Sequence, residues 1–240
     1  MNYGEIVQLG RHRLMCGDAT KAEDVHALVA GENVDLVLTD PPYGINVQSK
    51  NGGGYNGRNR TPDGKHHASP NYARMINDDN VQCARDNYHI VKTLCDNLIF
   101  WGANNFCDVL PPSNGWLVWD KHVRLKNSFG HCELAWSNVC GAVRYYSQEW
   151  SGCFREGSHT LNPRPRVHVC QKPVELHAHI LEDFSHEGDV ILDCFGGSGT
   201  TLIACEITAR KCLMMELSPE YCDVIIDRYN SLTEGALLLE

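Results

Sequence analysis

Residues 190–201 read Val-Ile-Leu-Asp-Cys-Phe-Gly-Gly-Ser-Gly-Thr-Thr, and they are the most informative part of the chain about its architecture. Val190 to Asp193 form a short apolar run, a glycine turn follows, and Thr200 to Ala209 have the pattern of a helix. Glycines let a backbone approach a ligand closely, and the start of a helix offers free N–H groups. The stretch therefore predicts an α/β fold with a ligand-binding loop near the carboxyl end of the chain.

Apolar runs on both sides of this stretch predict the rest of a sheet. Strands are expected at 34–39, 97–101 and 212–216, with more aromatic, antiparallel strands at 116–119, 133–136 and 142–146. Helices are expected after Thr20-x-x-Glu23, which has the pattern of a capping box, and at 80–95, from Pro173 and at 219–232. Cofactor-binding halves usually open such a domain, yet here the glycine turn comes late. We therefore predict a circularly permuted Rossmann-like sheet, mostly parallel, of about seven strands with helices on both faces.

The composition is that of a globular protein, since 42% of the 240 residues are hydrophobic and 21% are charged. No apolar run approaches the roughly 18 to 20 residues that span a bilayer, and the first ten residues lack a signal-peptide pattern. The twelve cysteines contain no Cys-x-x-Cys pair, and none of the twelve histidines has a set of metal ligands around it. We expect one cytoplasmic domain, 1–240, with neither a membrane partner nor a metal.

The net charge of −9 is unevenly distributed along the chain. Residues 44–74 and 119–172 each carry a net charge of +4, so the remainder carries −17. Residues 44–74 also lack an apolar period, and a loop of this length is either functional or an unstructured insertion. We expect a mobile active-site loop there, because it directly follows the most distinctive motif of the chain.

That motif is Asp40-Pro41-Pro42-Tyr43, which follows the apolar strand at 34–39. Ligands of open α/β sheets bind at this edge. The prolines stiffen the backbone and remove two N–H donors, so a carboxylate and neighbouring carbonyls form a set of acceptors. Such a set suits a planar amino group with two hydrogens, and Tyr43 can stack on the ring that bears it. A strand-ending turn with a capping aspartate would explain Asp40 and the prolines, but not the tyrosine.

Glu216 supports a nucleoside-containing ligand, because it ends the strand after the glycine turn, where an acidic side chain can accept both ribose hydroxyls. Leu202 stands where a dinucleotide fingerprint would have its third glycine, which disfavours a nicotinamide cofactor. No Gly-Lys-Ser or Gly-Lys-Thr is present, so a phosphate-binding P-loop is excluded.

These motifs resemble the S-adenosylmethionine-dependent methyltransferases that modify DNA at adenine N6 or cytosine N4, in the permuted β group. The resemblance implies that Asp40 to Tyr43 are the catalytic motif and that the glycine loop binds the methionine end of the cofactor. Gly17-Asp18 resembles the adenine-contacting loop, and Gln171-Lys172-Pro173 resembles the segment that precedes the methionine loop. His168-Val169-Cys170-Gln171 departs from the family's usual His-Pro-Thr-Gln. The cofactor residues implied are Asp18, Gln171, Lys172, Asp193, Phe195, Gly196, Gly197, Ser198, Gly199, Thr200 and Glu216. For Phe195 a place in the core at the end of the strand is an equally good interpretation, and for Lys172 so is a solvated position at the surface.

The resemblance also implies a mechanism and a DNA partner. Asp40 and the Pro41 carbonyl would each accept one amino hydrogen, so that the nitrogen lone pair points at the donor methyl in a direct transfer. A base inside a duplex cannot reach such a pocket, so the target base must be flipped out. Cytosine C5 chemistry needs a thiolate, usually after proline, and none of the ten prolines here precedes a cysteine.

Basic and aromatic residues in 120–168 predict a small inserted target-recognition region. An equally good interpretation of the aromatic residues is that they lie in an antiparallel extension of the sheet and belong to its hydrophobic core. The candidate DNA contacts are Arg58, Arg60, Lys121, Arg124, Arg164 and Arg166.

Asp rather than Ser at position 40 favours adenine N6 by resemblance, with cytosine N4 as the alternative. RNA or protein amide methylation, a Rossmann-type oxidoreductase and a catalytically silent nucleic-acid-binding module are more distant alternatives. The resemblance implies a bacterial or phage-infected host cell. It is also compatible with a homodimer, because several members of the group form pairs.

Overall fold

A mixed sheet of nine strands organises the computed structural model, which describes residues 1–44, 78–122, 130–148 and 171–234. The strands in the described ranges are β1 (Ile6–Leu9), β2 (His12–Cys16), β3 (Leu36–Thr39), β4 (Leu98–Trp101), β5 (Gly115–Asp120), β6 (Cys132–Ser137), β7 (Arg144–Ser147), β8 (Val190–Asp193) and β9 (Lys211–Glu216). The helices are α1 (Ala22–Val29), α2 (Gln82–Val91), α3 (Val174–Phe184), α4 (Thr200–Ile207) and α5 (Pro219–Thr233), with short 3₁₀ turns at Ala103–Asn105 and Cys107–Val109.

The spatial order of the strands is β1-β2-β9-β8-β3-β4-β6-β5-β7. The strands from β2 to β4 in this order are mutually parallel, whereas β1 pairs antiparallel with β2, and β6 pairs antiparallel with both β4 and β5. The carboxyl-terminal strands β8 and β9 thus lie at the centre of the sheet beside β3. This placement agrees with the α/β class and brings the late glycine turn next to the Asp40 motif.

The two faces of the sheet are both covered by helices, as expected. Along β3, Leu36 and Leu38 pack into a core with α3, α4 and α5, while Val37 points to the other face and packs with α1 and α2. Successive strand residues point to opposite faces. A strand that is covered on both faces is therefore apolar throughout, and all four residues of β3 are buried.

The sheet is larger than the expected seven strands because an amino-terminal hairpin, β1 and β2, extends it. Gly10 turns this hairpin with a φ of 54°, in the left-handed region that favours glycine. Three of the four β1 residues are partly or fully exposed, so the strand lacks the continuous apolar run that marks a central strand.

Two local expectations were wrong. β7 is parallel to β5, not antiparallel. The link from β6 to β7 is only residues 138–143, so β7 begins at the edge of the sheet where β6 ends. Since both sides of β6 are already paired, with β4 and β5, β7 pairs with β5 and runs in the same direction as β5. Thr20 does not cap α1, whose N-cap is Lys21 without a side-chain cap. The Thr20 hydroxyl instead donates to the Asp18 carboxylate at 2.7 Å.

Within the described ranges, the helices are all too short or too polar to cross a membrane.

Candidate active site

Four acidic residues meet at one edge of the sheet. Asp40 follows β3, Asp193 ends β8, Glu216 ends β9, and Asp18 lies two residues after β2. Because β2, β9, β8 and β3 are adjacent and parallel, their carboxyl ends lie side by side. This is the edge at which open α/β sheets bind ligands. The tertiary structure thus brings together the residues that the sequence placed in three separate motifs.

The glycine loop between β8 and α4 packs tightly against side chains of α5 and β9. Gly199 has a φ of 84°, and a Cβ there would lie 3.1 Å from Ile225. A Cβ on Gly196 would lie 2.9 Å from the Met214 side chain. The loop therefore requires glycine both for its backbone conformation and for its close approach to α5 and β9.

The Glu216 carboxylate fixes this loop to the end of β9. One oxygen accepts the Gly197 N–H at 2.7 Å, and the other accepts the Ser218 N–H at 2.8 Å. Burial raises the pKa of Glu216, while these N–H donors act in the opposite direction. The side chain remains partly exposed at the sheet edge, so it can still accept hydrogen bonds from a bound ligand.

The Asp193 carboxylate is buried and braces the loop from inside. It accepts hydrogen bonds from the Thr39 hydroxyl at 2.8 Å, the Thr201 hydroxyl at 2.6 Å and the Phe195 N–H at 3.1 Å. Burial raises its pKa to about 7, although all three hydrogen bonds oppose this change. Asp193 therefore connects β3, the glycine loop and the first turn of α4.

His177 extends this hydrogen-bonded chain to α3. Its Nδ1 lies 3.0 Å from the Thr201 hydroxyl. Because Thr201 donates its single hydrogen to Asp193, the histidine Nδ1 must carry a proton and donate. Burial, together with the positive charge of Lys172, lowers the pKa of His177 to about 3, so the ring is neutral at physiological pH. The ring also stacks on Trp101, with centroids 6.3 Å apart and an interplanar angle of 3°.

Tyr43 can lie beside the Asp40 carboxylate because residue 102, against which its ring packs, is a glycine. Sequence reasoning did not select this glycine. The Tyr43 hydroxyl lies 2.7 Å from Asp40 Oδ1. Its ring lies against Gly102, where a Cβ would come within 1.9 Å of Tyr43 Cε1. Gly102 has a φ of 65° and directly follows β4, the neighbour of β3. A glycine directly after a predicted strand was the only available signal, and it does not reveal a contact 59 residues away.

Lys172 and Glu133 complete the surroundings of Asp40. The Lys172 ammonium donates to Asp40 Oδ2 and to the Tyr43 hydroxyl at 3.0 Å, and it pairs with Glu133 Oε2 at 3.2 Å. Lys121 pairs with the other oxygen of Glu133. Sequence reasoning did not select Glu133, since an acidic residue within β6 has no motif around it.

Electrostatics in this cluster follow from burial and opposite charges. Burial and the nearby Glu133 raise the pKa of Asp40, and Lys172 and Tyr43 act against this rise. Burial alone would raise the pKa of Glu133, but Lys172 and Lys121 lower it to about 2. Burial would lower the pKa of Lys172, yet Asp40 and Glu133 raise it. At neutral pH, Glu133 is therefore an anion and Lys172 a cation.

The other cofactor candidates lie around the same edge. Asp18 accepts from Thr20 through one carboxylate oxygen, and its N–H donates to Asp24 at 2.9 Å. The Lys172 side chain reaches Asp40, while its backbone carbonyl accepts the Thr200 hydroxyl at 3.2 Å. Gln171 and Ser198 are buried, and Phe195 is partly buried.

The candidate DNA contacts divide into two groups. Lys121 is described, and its ammonium pairs with Glu133. The others lie outside the described residues, as do most of the loop at 44–74 and much of the region 120–168. They are Arg58, Arg60, Arg124, Arg164 and Arg166.

Comparisons with known proteins agree with this geometry. Residues 114–227 match the model of the N6_N4_Mtase family, described as DNA methylase. The Escherichia coli (strain K12) protein named "Putative methylase YubD" is 24% identical over 221 residues, which cover 87% of this chain and 86% of YubD.

Two solved structures show the same fold. TTHA0409 of Thermus thermophilus, in complex with S-adenosyl-L-methionine, has a TM-score of 0.54 and 18% identity, with 93% of this chain and 95% of that chain covered. The PvuII DNA methyltransferase, which is cytosine-N4-specific, has a TM-score of 0.56 and 15% identity, with 98% and 97% covered.

The matched family region contains β8, the glycine loop and Glu216, and the sheet places Asp40 to Tyr43 beside them. Motif, topology and family match all point in the same direction. The match of residues 114–227 to this family and the similarity to YubD therefore support an S-adenosylmethionine-dependent DNA methyltransferase of the group that modifies adenine at N6 or cytosine at N4.

Proposed function

We propose that the protein transfers a methyl group to adenine N6 of a base flipped out of DNA. The observation that carries this proposal is the position of Asp40. The Asp40 side chain is about one fifth exposed, and its carboxylate lies between the Tyr43 hydroxyl and the Lys172 ammonium, at the edge that also carries the glycine loop. An acceptor in this place can orient an amino group towards a donor bound on the neighbouring strands.

The residues present fit S-adenosylmethionine, the methyl donor of the family. Glu216 and Asp18 offer carboxylate oxygens, which suit the ribose hydroxyls and the exocyclic amine of the adenosine part. The glycine loop, held by Glu216 and Asp193, would hold the methionine part near the start of α4. When bound, this cofactor supplies an electrophilic methyl group on a sulfonium.

The chain's own groups would then act on the target base. The exocyclic nitrogen is a poor nucleophile because its lone pair is delocalised into the ring. Asp40 would accept one amino hydrogen and the Pro41 carbonyl the other, which favours a pyramidal nitrogen whose lone pair is available. When the nitrogen gains the methyl group it must release one proton, and the Asp40 carboxylate is placed to receive it. Tyr43 would stack on the base and offset part of the unstacking cost of a few kcal/mol.

Cytosine N4 is the second candidate, because its amino group presents the same two hydrogens to the same acceptors. The PvuII enzyme, whose fold this chain shares, is specific for that position. We favour adenine because position 40 holds Asp. In the family that this chain resembles, Ser at this position is associated with cytosine.

We also propose that two segments form the DNA-binding surface of a single domain, 1–240. They are the loop at 44–74 and the target-recognition region at 120–168, which begins at the end of β5 and includes β6 and β7. The net charges of +4 in and around each of these segments would attract phosphates in a protein whose total is −9.

Identification of the labelled nucleoside tests this function. The protein is incubated with unmethylated DNA of mixed sequence and labelled S-adenosylmethionine, and the DNA is digested and separated. N6-methyladenine supports the proposal, and N4-methylcytosine transfers the assignment to the second candidate. An absence of label from DNA of every sequence contradicts methyl transfer to DNA. Asp40→Ala serves as the matched control, since it should abolish transfer while cofactor binding persists.

A further inference from the structure

Lys172 occupies an unusual position for a lysine, because its side chain is only 5% exposed and is surrounded by the groups of the proposed acceptor site. Its ammonium contacts Asp40, Tyr43 and Glu133. It also lies above two rings, at 5.4 Å from the Tyr43 centroid and 5.2 Å from the Trp101 centroid. A cation is rarely buried so deeply unless it is paired, and here two carboxylates and two aromatic faces surround it.

We propose that Lys172 is a positioning residue for methyl transfer: anchored by Glu133, its ammonium holds the Asp40 carboxylate and the Tyr43 hydroxyl in the orientation that receives the target base. This inference rests on the proposed function and deepens it, since it assigns how the acceptor is held. Lys172 acts through Asp40 and Tyr43, and it need not contact the base.

The relative exposure of the residues supports this arrangement. The Asp40 side chain is 21% exposed, whereas the Lys172 side chain behind it is 5% exposed. A base that enters the site can therefore reach Asp40 while Lys172 stays covered. The buried Lys172 ammonium donates hydrogen bonds to both Tyr43 and Asp40, so the relative position of these two side chains is set before the base binds.

Glu133 has a distinct part in this arrangement. It approaches from β6, on the opposite side from the glycine loop, and it pairs with both Lys172 and Lys121. Lys172 thus keeps a counter-charge of its own when Asp40 engages the base. The other charged or titratable groups that influence the cluster are Tyr43 after β3, Lys121 after β5, His177 on α3 and Asp193 on β8.

The backbone of Lys172 has a separate role from its side chain. Its carbonyl accepts the Thr200 hydroxyl at the start of α4, which connects the acceptor site to the cofactor loop. A side-chain substitution leaves this carbonyl in place. The proposal therefore predicts that loss of the ammonium impairs transfer while cofactor affinity changes little.

Two opposite substitutions give a signature that general structural damage would not produce. Lys172→Met removes a positive charge beside Asp40, so the acidic limb of the rate–pH profile should move upward by about one to three pH units. Glu133→Gln removes a negative charge that faces Asp40, so the same limb should move downward. Transfer by Lys172→Met should fall by about 100-fold, as expected for a misplaced acceptor.

The experiment measures the maximal rate of methyl transfer to DNA against pH for both variants and the wild type, with cofactor affinity determined by calorimetry. Lys211→Met is the matched control, because Lys211 also pairs with a carboxylate, Glu32, but at the amino end of β9. The control should leave the profile unchanged. Lys172→Arg preserves the charge with a different shape. Its transfer rate should fall, but the acidic limb of its rate–pH profile should stay at the wild-type pH.

A readout independent of activity separates this proposal from the proposed function. Infrared titration of protein labelled with ¹³C-aspartate, with Asp40→Asn as the reference, reports the ionisation of Asp40 directly. An upward displacement in Lys172→Met and a downward one in Glu133→Gln support the proposal even if no DNA substrate is found. Unchanged Asp40 titration in both folded variants overturns it. Loss of cofactor binding with normal maximal transfer also overturns it, because Lys172 would then serve the cofactor.

Discussion

The hydroxyl of Thr39 donates a 2.8 Å hydrogen bond to the buried Asp193 carboxylate, which joins the last residue of β3 to the last residue of β8. The same oxygen of Thr39 accepts the Cys194 N–H at 3.2 Å. The strand that leads into the proposed acceptor motif is thereby coupled to the loop expected to hold the cofactor. One hydroxyl group thus contributes to the alignment of both halves of the site.

Replacement of Thr39 by Val should weaken both halves. The substitution keeps the shape but leaves Cys194 N–H without its acceptor and Asp193 with one donor fewer, which should lower the free energy of unfolding by about 1–3 kcal/mol. Urea unfolding measures this loss, and cofactor affinity should fall with it. Thr39→Ser keeps the hydroxyl, so it should retain most of the stability. Equal losses in the two variants would show that the hydroxyl is unimportant.

His177 predicts a pH dependence of stability with a definite sign. Its pKa is about 3 in the folded protein and 6.5 in the unfolded chain, so folding favours the neutral ring. The stability that this preference supplies is complete above pH 6.5 and is lost as the pH falls towards 3. Between pH 7.5 and pH 5 the wild type should lose about 2 kcal/mol from this residue alone.

Comparison with His177→Phe isolates that contribution. Phe preserves an aromatic ring against Trp101 but cannot titrate or donate to Thr201. At pH 7.5 the variant should be less stable than the wild type by about 1 kcal/mol for the lost hydrogen bond. Unfolding in urea at both pH values should show the difference narrowing or reversing at pH 5. A difference that stays constant would contradict a neutral, buried His177.

Gly102→Ala should specifically damage the position of Tyr43. A left-handed φ costs a non-glycine residue roughly 1–2 kcal/mol, and the added Cβ would also overlap the Tyr43 ring. Gly31→Ala is the matched control, because Gly31 has a φ of 77° with nothing within 4 Å of the added Cβ. Both variants should lose stability through the left-handed φ, and Gly102→Ala should lose more because of the overlap with Tyr43, but methyl transfer should collapse only in Gly102→Ala. Similar transfer rates in the two would remove Gly102 from the site.

DNA affinity should depend strongly on salt and on the basic segments. Each phosphate contact contributes about 0.9 to the slope of log affinity against log salt, so charge reversal at Arg58, Arg60, Arg164 or Arg166 should weaken binding and flatten the slope. Lys92→Glu is the control, because Lys92 is exposed and directly follows α2, and it should leave the slope unchanged. Fluorescence anisotropy at several salt concentrations measures both quantities. Affinity that ignores salt and these arginines would contradict the proposed DNA surface.

Much of the site could be predicted from the sequence because its motifs are local. An apolar run followed by Asp-Pro-Pro-Tyr, and another followed by a glycine turn, each specify a strand end and the loop beyond it through periodicity and turn chemistry. The positions of Asp40, Asp193 and Glu216 at strand ends are confirmed by the sheet. Position along the chain was therefore enough to find the elements and the acidic residues at their ends.

Contacts across the sheet could not be predicted in this way. Glu133 and Lys172 lie 39 residues apart and come from elements with no shared motif, and they meet only because β6 pairs with β4 beside β3. The parallel direction of β7 and the contact of Gly102 with Tyr43 have the same origin.

The α/β class, the strand ends, the acceptor motif and the glycine loop can be derived from the sequence, since they depend on neighbouring residues. The side chains that surround Asp40, and the burial of Asp193 beneath the glycine loop, depend on the order of the strands. That order is set by burial of the whole sheet between two layers of helices, and no local stretch of the chain specifies it.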